Sequence, residues 1–353
     1  MKLLQDLSLA EIKELVAEKG YPAYRAEQLN ALKISNRDYS DSTNLPKALI
    51  EEISSEYSAR AVKIVEVRRS KDGAEKYLFE TSDSRVVEGV FMPHDYGNTL
   101  CISTQVGCRM GCVFCASGLN GLERNLSSGE MLSEVAEVNA MHGGTQKKRA
   151  VTNIVLMGTG EPLDNYDNVV KFLKELNDPK GLNISLRNVS LSTSGLAANM
   201  RRLADEGLNV VLAVSLHAAT DEKRSRIMPV NRSNPISEVM AAADYYFEKT
   251  GRRVIYEYAV GKHNSGRDDL DELAALLRGR NAHINLINLN YVKERDMRGL
   301  SRKELEIFMD ELKKRGLSVT LRRSMGADID GACGQLRIKH LARRMAEGKG
   351  EVK

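Results

Sequence analysis

The sequence has little that would place it in a membrane or outside the cell. No part of its 353 residues approaches the roughly 18 consecutive apolar residues of a membrane-spanning helix. Its first residues, MKLLQDLSLAEIKE, lack the basic start and the apolar core of a secretory signal peptide. We therefore expect a soluble, cytoplasmic protein with no membrane partner.

Cysteine is also scarce, with five residues in the chain, and four of them lie close together. Cys101, Cys108, Cys112 and Cys115 fall within one short stretch, whereas Cys333 lies near the other end. This distribution is unlike the disulfide framework of a small secreted protein. It favours a reducing compartment and a metal or redox role for the cysteine-rich stretch.

Neither sign of charge predominates, because 52 lysine and arginine residues stand against 48 aspartate and glutamate residues, a net charge of +4. Such a balance neither requires nor excludes a nucleic-acid partner, which would have to be bound by local basic patches. The predicted helices near the N-terminus offer one such face, suited either to solvent or to RNA. Its predicted exposed residues are Lys19, Arg25, Lys33, Arg37 and Lys47.

Three patterns divide the chain into regions. Residues 1–60 carry three short amphipathic helices, which we interpret as an accessory domain that resembles an RNA-binding module. Residues 61–98 have the alternation and turn residues of strands and predict a β extension. Residues 99–345 form the predicted main domain, and residues 346–353 form a C-terminal tail.

The main domain repeats a strand and an amphipathic helix six times. Because the strands are apolar along most of their length, this predicts an α/β fold in which a parallel sheet has helices on its outer side, either doubly wound or closed toward a barrel. In both architectures the chemistry collects at the C-terminal ends of the strands. The predicted strands are 99–104, 152–157, 188–193, 209–218, 252–260 and 283–290.

Three of the clustered cysteines have the spacing Cys108-x3-Cys112-x2-Cys115, in a loop after the first strand of the repeat. Three thiolates on one loop can each bind one iron of a 4Fe–4S cluster, which leaves the fourth iron open to a substrate or cofactor. A structural zinc site is the alternative, but it generally needs four cysteine or histidine ligands, and the loop contains no histidine. Cys101, on the preceding strand, would have to be the fourth ligand.

This loop, placed at the first strand of a six-fold strand–helix repeat, resembles that of the radical S-adenosylmethionine (SAM) superfamily. The resemblance implies a partial (β/α)6 barrel and a 4Fe–4S cluster held by Cys108, Cys112 and Cys115. In that superfamily the open iron binds the methionine part of SAM, and reductive cleavage of SAM gives a 5′-deoxyadenosyl radical. The protein positions this radical against the substrate and excludes water.

A glycine-rich stretch, Gly-Thr-Gly-Glu-Pro at 158–162, follows the second strand of the repeat. Glycine allows the backbone to approach a ligand closely, and a carboxylate accepts hydrogen bonds from an ammonium group. By itself the stretch suits an ordinary turn, but it resembles the superfamily's motif for the amino group of SAM. The resemblance implies that SAM is bound by Gly160, Glu161, Ser192, Ser215, Leu216, His217 and Asn290.

The remaining cysteine, Cys333, lies in GADIDGACGQLR after the last predicted strand. The plain interpretation is a buried structural cysteine. Its neighbours Gly331, Ala332 and Gly334 are small, however, and leave the sulfur sterically open. A thiolate in such a loop can act as a nucleophile.

Sequences spread over nearly the whole chain narrow the resemblance to the dual-specificity adenine C2 methyltransferases of ribosomal and transfer RNA. They are MGTGEPLDNYDNV, LSTSG, SLHA, IMPVNR, INLINLNYV and DIDGACGQL, in the family's order and approximate spacing. The resemblance implies methylation of C2 of an adenosine in the peptidyl transferase centre of 23S rRNA and of adenosine 37 in tRNA. It also implies an electron donor such as flavodoxin.

The same resemblance gives catalytic roles to three residues. Cys333 takes a methyl group from one SAM, and a second SAM supplies the radical that removes a hydrogen from this methyl, so that two SAM molecules are used per turnover. The methylene radical adds to C2, and Cys101 then attacks the sulfur of Cys333, which releases the base as a disulfide forms. Glu88 is the implied proton acceptor, although by itself it would pass for a surface residue of a strand.

Two alternative functions stay open at this point. The related resistance methyltransferases modify C8 of the same adenine and share both cysteine sets, although GTGEPLDNYDN and RRSMGADID look more like the C2 enzymes. A non-enzymatic iron–sulfur RNA-binding protein would leave Cys101, Cys333 and the strand-end motif without a common purpose. For either enzyme, the target adenine must be unpaired or flipped out to reach a pocket inside a barrel.

Overall fold

The computed structural model describes residues 1–289, 297–322, 325–329, 336, 337 and 340. Two predicted site residues, Asn290 and Cys333, lie outside these described residues. Among the helices that the structure describes, none has both the length and the apolar composition needed to cross a membrane.

The N-terminal helices pack around a hydrophobic cluster of their own. The first begins at a capping box, in which the N–H of Glu11 donates to the Ser8 hydroxyl at 3.2 Å and the N–H of Ser8 donates to the Glu11 carboxylate at 2.6 Å. The three predicted helices of this region are confirmed. Its elements are β1 (Lys2–Leu3), α1 (Leu9–Glu18), α2 (Tyr24–Ile34), α3 (Lys47–Glu56) and β2 (Tyr57–Ser58).

The β extension consists of three antiparallel strands, β3 (Val62–Arg69), β4 (Glu75–Thr81) and β5 (Val86–Met92). Gly73 makes the predicted turn between the first two, with a φ of +88° that favours glycine. The third strand pairs with the first strand of the main domain. The extension therefore continues the main sheet.

The rest of the described chain alternates strands and helices, as predicted. A short helix, Asp221–Ile227, is an additional element that the sequence pattern did not predict. In chain order the elements are β6 (Thr99–Ile102), β7 (Gln105–Gly107), β8 (Leu122–Asn125), α4 (Ser128–Met141), β9 (Asn153–Leu156), α5 (Tyr166–Leu176), β10 (Val189–Thr193), α6 (Ala197–Asp205), β11 (Val211–Ser215), α7 (Asp221–Ile227), α8 (Ile236–Thr250), β12 (Val254–Val260), α9 (Arg267–Leu277), β13 (Ala282–Asn288), α10 (Arg302–Lys314) and β14 (Val319–Leu321).

Ten strands form one sheet within the described residues, in the order β14-β13-β12-β11-β10-β9-β6-β5-β4-β3. All neighbours from β6 to β14 run parallel, whereas β5 is antiparallel to β6. A separate pair, β7 and β8, follows the first parallel strand. The α/β fold with a parallel sheet is confirmed, and the C-terminal ends of its strands lie along one edge.

The two faces of the parallel strands differ in polarity. Val189 and Leu191 of β10 are buried against the helices, whereas Ser190 and Ser192 are partly exposed on the opposite face. We call this second face, which carries Ser192 and its cross-strand neighbours, the inner face. The expectation of strands that are apolar along most of their length is therefore wrong for the inner face, where polar residues alternate with the core residues.

Two details differ from the sequence predictions. Strand β11 ends at Ser215 and does not reach residue 218, because His217 has a φ of +59° that turns the chain out of the sheet.

Lys33, predicted to be exposed, is buried and pairs with Glu175 of α5 at 2.7 Å. Beside it, the amide of Asn30 donates to a main-domain carbonyl at 2.8 Å. These contacts fasten α2 to the main domain, so Lys33 does not belong to the predicted exposed basic face.

Candidate active site

The cysteine loop begins directly after β7 and is held tight by backbone contacts. Gly107 has a φ of +81°, and a Cβ added there would lie 2.0 Å from the carbonyl oxygen of Gly121, so only glycine fits. The N–H of Cys108 donates to that oxygen at 2.9 Å, and the N–H of Cys115 donates to the carbonyl of Cys112 at 3.2 Å. The three predicted cluster ligands therefore share one compact loop.

The thiols of this loop lie close enough to affect one another. Burial raises the pKa of Cys108 to about 12, and the neighbouring Cys115 contributes to the shift. The pKa of Cys112 is also raised, first by burial and then by the other two thiols. Among the described residues, no three histidine, cysteine or carboxylate side chains group around the position of a single metal ion. A 4Fe–4S cluster does not need several side chains around one ion, because each cysteine thiolate binds a different iron of the cluster.

A buried glutamine, Gln105, connects the cysteine loop with the glycine-rich stretch. Its Oε1 accepts from the N–H of Glu161 at 2.8 Å, and its Nε2 donates to Asp164 at 3.0 Å. Asp164 in turn pairs with Arg109 inside the cysteine loop. Gly160 packs onto the same strand, because a Cβ added there would lie 2.8 Å from Gln105. The chain's own backbone therefore requires glycine at this position, and its contact with SAM stays a prediction.

The carboxylate of Glu161 is buried beyond the end of β9. Its Oε1 accepts from the Thr193 hydroxyl at 2.7 Å and from the N–H of Leu163 at 3.0 Å, and its Oε2 accepts from the N–H of Ser194 at 2.6 Å. Burial raises the pKa of Glu161, and these donors oppose the shift. Because its backbone N–H donates to Gln105 on β7, the strand that leads into the cysteine loop, Glu161 lies near that loop, and its charge adds to the raised pKa of Cys108. Such a position suits an ammonium group bound beside the loop.

Ser192 and Ser215 meet on the inner face, where their hydroxyl oxygens are 3.4 Å apart. Ser192 also donates to Oε2 of Glu257 on β12 at 2.6 Å. Glu257 is 5% exposed, and its Oε1 lies 3.5 Å from the guanidinium of Arg322, just after β14. The strands thus bring two hydroxyls, a carboxylate and a guanidinium together, a group that suits a polar ligand such as ribose.

Leu216 and His217 follow β11 in a sharp turn. Their N–H groups donate to the carbonyl of Glu257 at 3.0 Å and 3.3 Å. Nδ1 of His217 accepts from the N–H of Ala259 at 2.9 Å, which puts the ring proton on Nε2. Burial lowers the pKa of His217 to about 3, and Arg224 adds to the shift. The ring is therefore neutral at physiological pH.

The guanidinium of Arg224, on α7, is completely buried next to this turn. It donates to the backbone carbonyls of Ser194, Ser215 and Leu216 at 2.6, 2.9 and 3.1 Å. Burial lowers its pKa to about 10. The end of α7 also contacts the cysteine loop, where the N–H of Val113 donates to the carbonyl of Ile227 at 2.9 Å, and the charge of Arg224 opposes the raised pKa of Cys112. Arg224 therefore fastens the ends of β10 and β11 and offers a charge that an anionic group in the loop would meet.

Glu88 and Cys101 share the inner face on the side of the β extension. Cys101 on β6 pairs with Val90 on β5, and Glu88 lies two residues before Val90, so the three side chains point to the same face. Glu88 is 3% exposed and pairs with Lys76 at 3.1 Å. The interpretation of Glu88 as a surface residue is therefore wrong. Its carboxylate also accepts a hydrogen bond from the backbone N–H of Arg337.

The chain on either side of Cys333 contacts the β extension. The N–H of Gly326 donates to Asp72 in the turn between β3 and β4 at 2.8 Å, and Arg337 donates to Glu88 as described. Cys333 itself lies outside the described residues, so its meeting with Cys101 stays a prediction. Contact between Asn290 and SAM stays a prediction for the same reason.

Comparisons with known proteins identify the family. A sequence profile described as the Radical SAM superfamily matches residues 102–277. The chain is 46% identical over 339 residues to the probable dual-specificity RNA methyltransferase RlmN of Geobacillus kaustophilus (strain HTA426), which covers 95% of this chain and 92% of that protein. The chain belongs to the RlmN family. A second RlmN relative, from Lachnoclostridium phytofermentans (strain ATCC 700394 / DSM 18823 / ISDg), is 47% identical over 349 residues, covering 98% and 96% of the two chains.

The RlmN-family chain also resembles a solved structure over nearly its full length. The crystal structure of a radical SAM methyltransferase from Sphaerobacter thermophilus gives a TM-score of 0.90 at 40% identity, covering 95% of this chain and 99% of that one. The structural match therefore extends beyond residues 102–277, which the sequence profile matches. The N-terminal helices and the β extension are thus part of the shared architecture.

Membership in the radical SAM superfamily implies a 4Fe–4S cluster and SAM as cofactors. The donors present in this RlmN-family chain fit both groups. Three cysteine thiols on one loop are the soft ligands that iron–sulfur clusters use, and the buried cation of Arg224 suits the negative charge of a thiolate-bound cluster. The carboxylate of Glu161 suits the ammonium of SAM.

Sequence reasoning missed four residues of the site. Glu257 is the one charged residue of strand β12, a signal that was available in the strand pattern, whereas Lys76 shares β4 with Glu75 and Glu80 and does not stand out there. Asn264 donates to the carbonyl of His217 at 2.9 Å, and Arg224 binds the strand ends. The last two carry no local signal, because their partners are distant in sequence or belong to the backbone.

Proposed function

We propose that this chain methylates C2 of adenine in RNA, acting on an adenosine in the peptidyl transferase centre of 23S rRNA and on adenosine 37 of tRNA. The observation that carries the proposal is the identity of 42–47% with proteins named dual-specificity RNA methyltransferase RlmN, over nearly the whole chain. Several RNA-modifying chemistries are compatible with the parallel sheet alone. The motifs along the inner face and the full-length identity favour this one.

The cofactor roles follow from the donors described above. Cys108, Cys112 and Cys115 would hold the 4Fe–4S cluster, which when bound supplies the electron that cleaves SAM to a 5′-deoxyadenosyl radical. Glu161 would orient the SAM ammonium, with Gly160 in the same loop. The remaining contacts to SAM would come from the residues that follow the parallel strands, Ser192, Ser215, Leu216, His217 and Asn290.

The two remaining cysteines would perform the transfer itself. The Cys333 thiolate would attack the methyl carbon of one SAM and displace S-adenosylhomocysteine, which leaves S-methylcysteine at position 333. The methyl group on Cys333 would then lose one hydrogen to the radical formed from a second SAM, so that two SAM would be used per turnover. Once the carbon is joined to C2, Glu88 would accept the C2 proton, and the odd electron of the adduct would pass to a one-electron acceptor such as the oxidised cluster. The Cys101 thiolate would then attack the Cys333 sulfur to form a disulfide, and the freed carbon would take up a proton to become the methyl group of the released base.

The partners follow from this chemistry. The adenine must be unpaired or flipped out of its stack, as in a loop of 23S rRNA or a tRNA anticodon arm. A low-potential donor such as flavodoxin would reduce the cluster, and cellular thiols would reduce the disulfide after each turnover. RNA substrates and a reducing environment both support a cytoplasmic location for the enzyme.

The proposal is tested with full-length protein whose cluster is reconstituted anaerobically. The protein is incubated with reductant, SAM and a transcript of the 23S rRNA target region or tRNA, and 5′-deoxyadenosine and modified nucleosides are measured by mass spectrometry. We expect 5′-deoxyadenosine and 2-methyladenosine. If 8-methyladenosine is the main product, the chain is a C8 methyltransferase; if neither SAM cleavage nor methylation occurs, the non-enzymatic alternative gains support.

A further inference from the structure

A lysine lies buried in the β extension, beside the residues that the proposed function uses for proton and thiol chemistry. Lys76 on β4 is 0% exposed. The register pairs Lys76 with Val90 on β5 and Val90 with Cys101 on β6, so these three side chains form one cross-strand row on the inner face. The next residue, Tyr77, belongs to the core on the other face. The lysine therefore faces the candidate site.

The ammonium of Lys76 pairs with a carboxylate that is also buried. Its Nζ lies 3.1 Å from Oε2 of Glu88, and the two side chains are 0% and 4% exposed. The other carboxylate oxygen accepts from the backbone N–H of Arg337, whose guanidinium is directed to Glu123 and to the carbonyl of Val86. Burying a single charge is strongly unfavourable unless an opposite charge compensates it. Lys76 and Glu88 therefore stabilise each other's charged forms.

We propose that Lys76 is a positioning residue that keeps Glu88 ionised and fixes its carboxylate on the inner face beside Cys101. The inference rests on the proposed function, in which Glu88 accepts the proton from C2 of the protein-bound adenine. In that step the proton moves to a carboxylate oxygen, while the electron pair of the C–H bond stays on the base. Because a protonated carboxyl group cannot accept this proton, the charge state of Glu88 controls the step.

The surroundings of Glu88 make its charge depend on a nearby cation. Apolar side chains pack at this end of β4 and β5, namely Leu78, Val86 and Leu336. Of the described charged residues, Lys76 contacts the carboxylate through its ammonium and Arg337 through its backbone N–H, while the Arg337 guanidinium pairs with Glu123 and Cys101 lies on the same face of the adjoining strand. A carboxylate that loses its cation in such surroundings takes up a proton more readily. Removal of the ammonium should therefore move the acid limb of the reaction rate to higher pH.

The experiment compares three variants of the full-length, cluster-reconstituted protein with SAM, reductant and RNA. Lys76→Met removes the ammonium, and Lys76→Arg keeps a positive charge. Lys63→Met is the matched control, because Lys63 pairs with Glu80 in the same extension at 2.9 Å but has a side chain that is 61% exposed. The readouts are Cys333 methylation, 5′-deoxyadenosine, the protein–RNA adduct on denaturing gels, and the pH dependence of RNA methylation in a single turnover.

We expect Lys76→Met to methylate Cys333 and to form 5′-deoxyadenosine as the wild type does. Release of methylated RNA should be slower by about tenfold or more at neutral pH, with the adduct accumulating, because proton acceptance is impaired. Its acid limb should lie at higher pH than that of the wild type. Lys76→Arg and Lys63→Met should keep the wild-type profile.

Three results overturn the proposal. They are an unchanged pH profile in Lys76→Met, an equal shift in Lys76→Arg, and a loss of Cys333 methylation together with the later steps, which would make Lys76 a purely structural residue. If Lys76→Met does not fold, the double variant Lys76→Met/Glu88→Gln replaces the pair by neutral side chains. We expect it to fold and to release RNA slowly at every pH, and a wild-type rate would contradict the proposal. A wild type that forms no methylated adenosine overturns the proposed function instead.

Discussion

The N–H of Ser194 donates to the carboxylate of Glu161 at 2.6 Å and so joins the loop after β9 to the end of β10. The hydroxyl of Thr193 donates to the same carboxylate at 2.7 Å. One side chain therefore fastens two strand ends at the edge of the sheet where the predicted SAM contacts lie. Its loss should affect both the stability of this edge and the binding of the cofactor.

Glu161→Gln should therefore weaken both properties. The amide NH2 of glutamine would face a donor where the carboxylate now accepts, so we expect the free energy of unfolding to fall by about 1–3 kcal/mol. SAM affinity should fall by about tenfold or more, because a charged acceptor for the ammonium is lost. Chemical denaturation and equilibrium binding of SAM measure the two effects. Glu175→Gln is the matched control, since it removes a partly buried carboxylate that pairs with Lys33 away from the strand ends and should destabilise the protein while leaving SAM affinity unchanged.

Substitutions of the cysteines should fall into two classes, which differ in how much iron the variant protein retains. Cys112→Ala should lose the cluster, because three thiolates are needed to hold it. Cys101→Ala should keep a full cluster and form 5′-deoxyadenosine but accumulate a covalent protein–RNA adduct, since the disulfide that releases the base cannot form. Iron and sulfide analysis and denaturing gels make the distinction. Loss of iron from Cys101→Ala would contradict the assignment of Cys101 to the second pair.

Arg224→Met should strongly destabilise the site. The substitution leaves the buried carbonyls of Ser194, Ser215 and Leu216 without the donor that they now share, and we expect a loss of about 3 kcal/mol or more in the free energy of unfolding. Arg226→Met, on the same helix, removes an exposed arginine that pairs with Glu222 and should cost no more than about 0.5 kcal/mol. Equal effects of the two variants in denaturation experiments would refute this role of Arg224.

His217 should make the folded protein sensitive to mild acid. Burial lowers its pKa to about 3 in the folded state, from 6.5. Below pH 6.5 the unfolded chain binds a proton that the folded chain does not bind, so this contribution to stability is present at higher pH and is lost as the pH falls from 6.5 toward about 3. Between about pH 7 and about pH 5, the wild type should lose about 2 kcal/mol in the free energy of unfolding through this residue.

His217→Asn removes that pH dependence without removing the turn. Asparagine tolerates the positive φ of this position and carries a side-chain oxygen that can accept a backbone hydrogen bond. The measurement is the difference between wild type and variant in denaturation midpoints across this pH range, with apo-protein to exclude effects of the cofactors. A difference that stays constant with pH would show that the buried histidine does not set this acid sensitivity.

Local patterns predicted much of the architecture. The capping box of Ser8 and Glu11 and the alternation of strands and amphipathic helices depend on residues within a few positions of one another. Such patterns are visible in a single sequence, because helix and strand periods are properties of the backbone. The bounds of β11 were less predictable, since its end depends on the backbone conformation of His217 and on hydrogen bonds to β12.

The sequence by itself determined the strand–helix order, the cysteine loop and, through its motifs, the resemblance that the relatives confirm. Only the tertiary structure decided which side chains meet. Lys76 reaches Glu88, Arg224 reaches the end of β10, and Lys33 is buried against α5, because the sheet register and helix packing bring distant segments together. A buried charge is unfavourable unless an opposite charge or a hydrogen-bond partner compensates it. Neither the register of the sheet nor the burial of a side chain can be predicted from the order of residues alone.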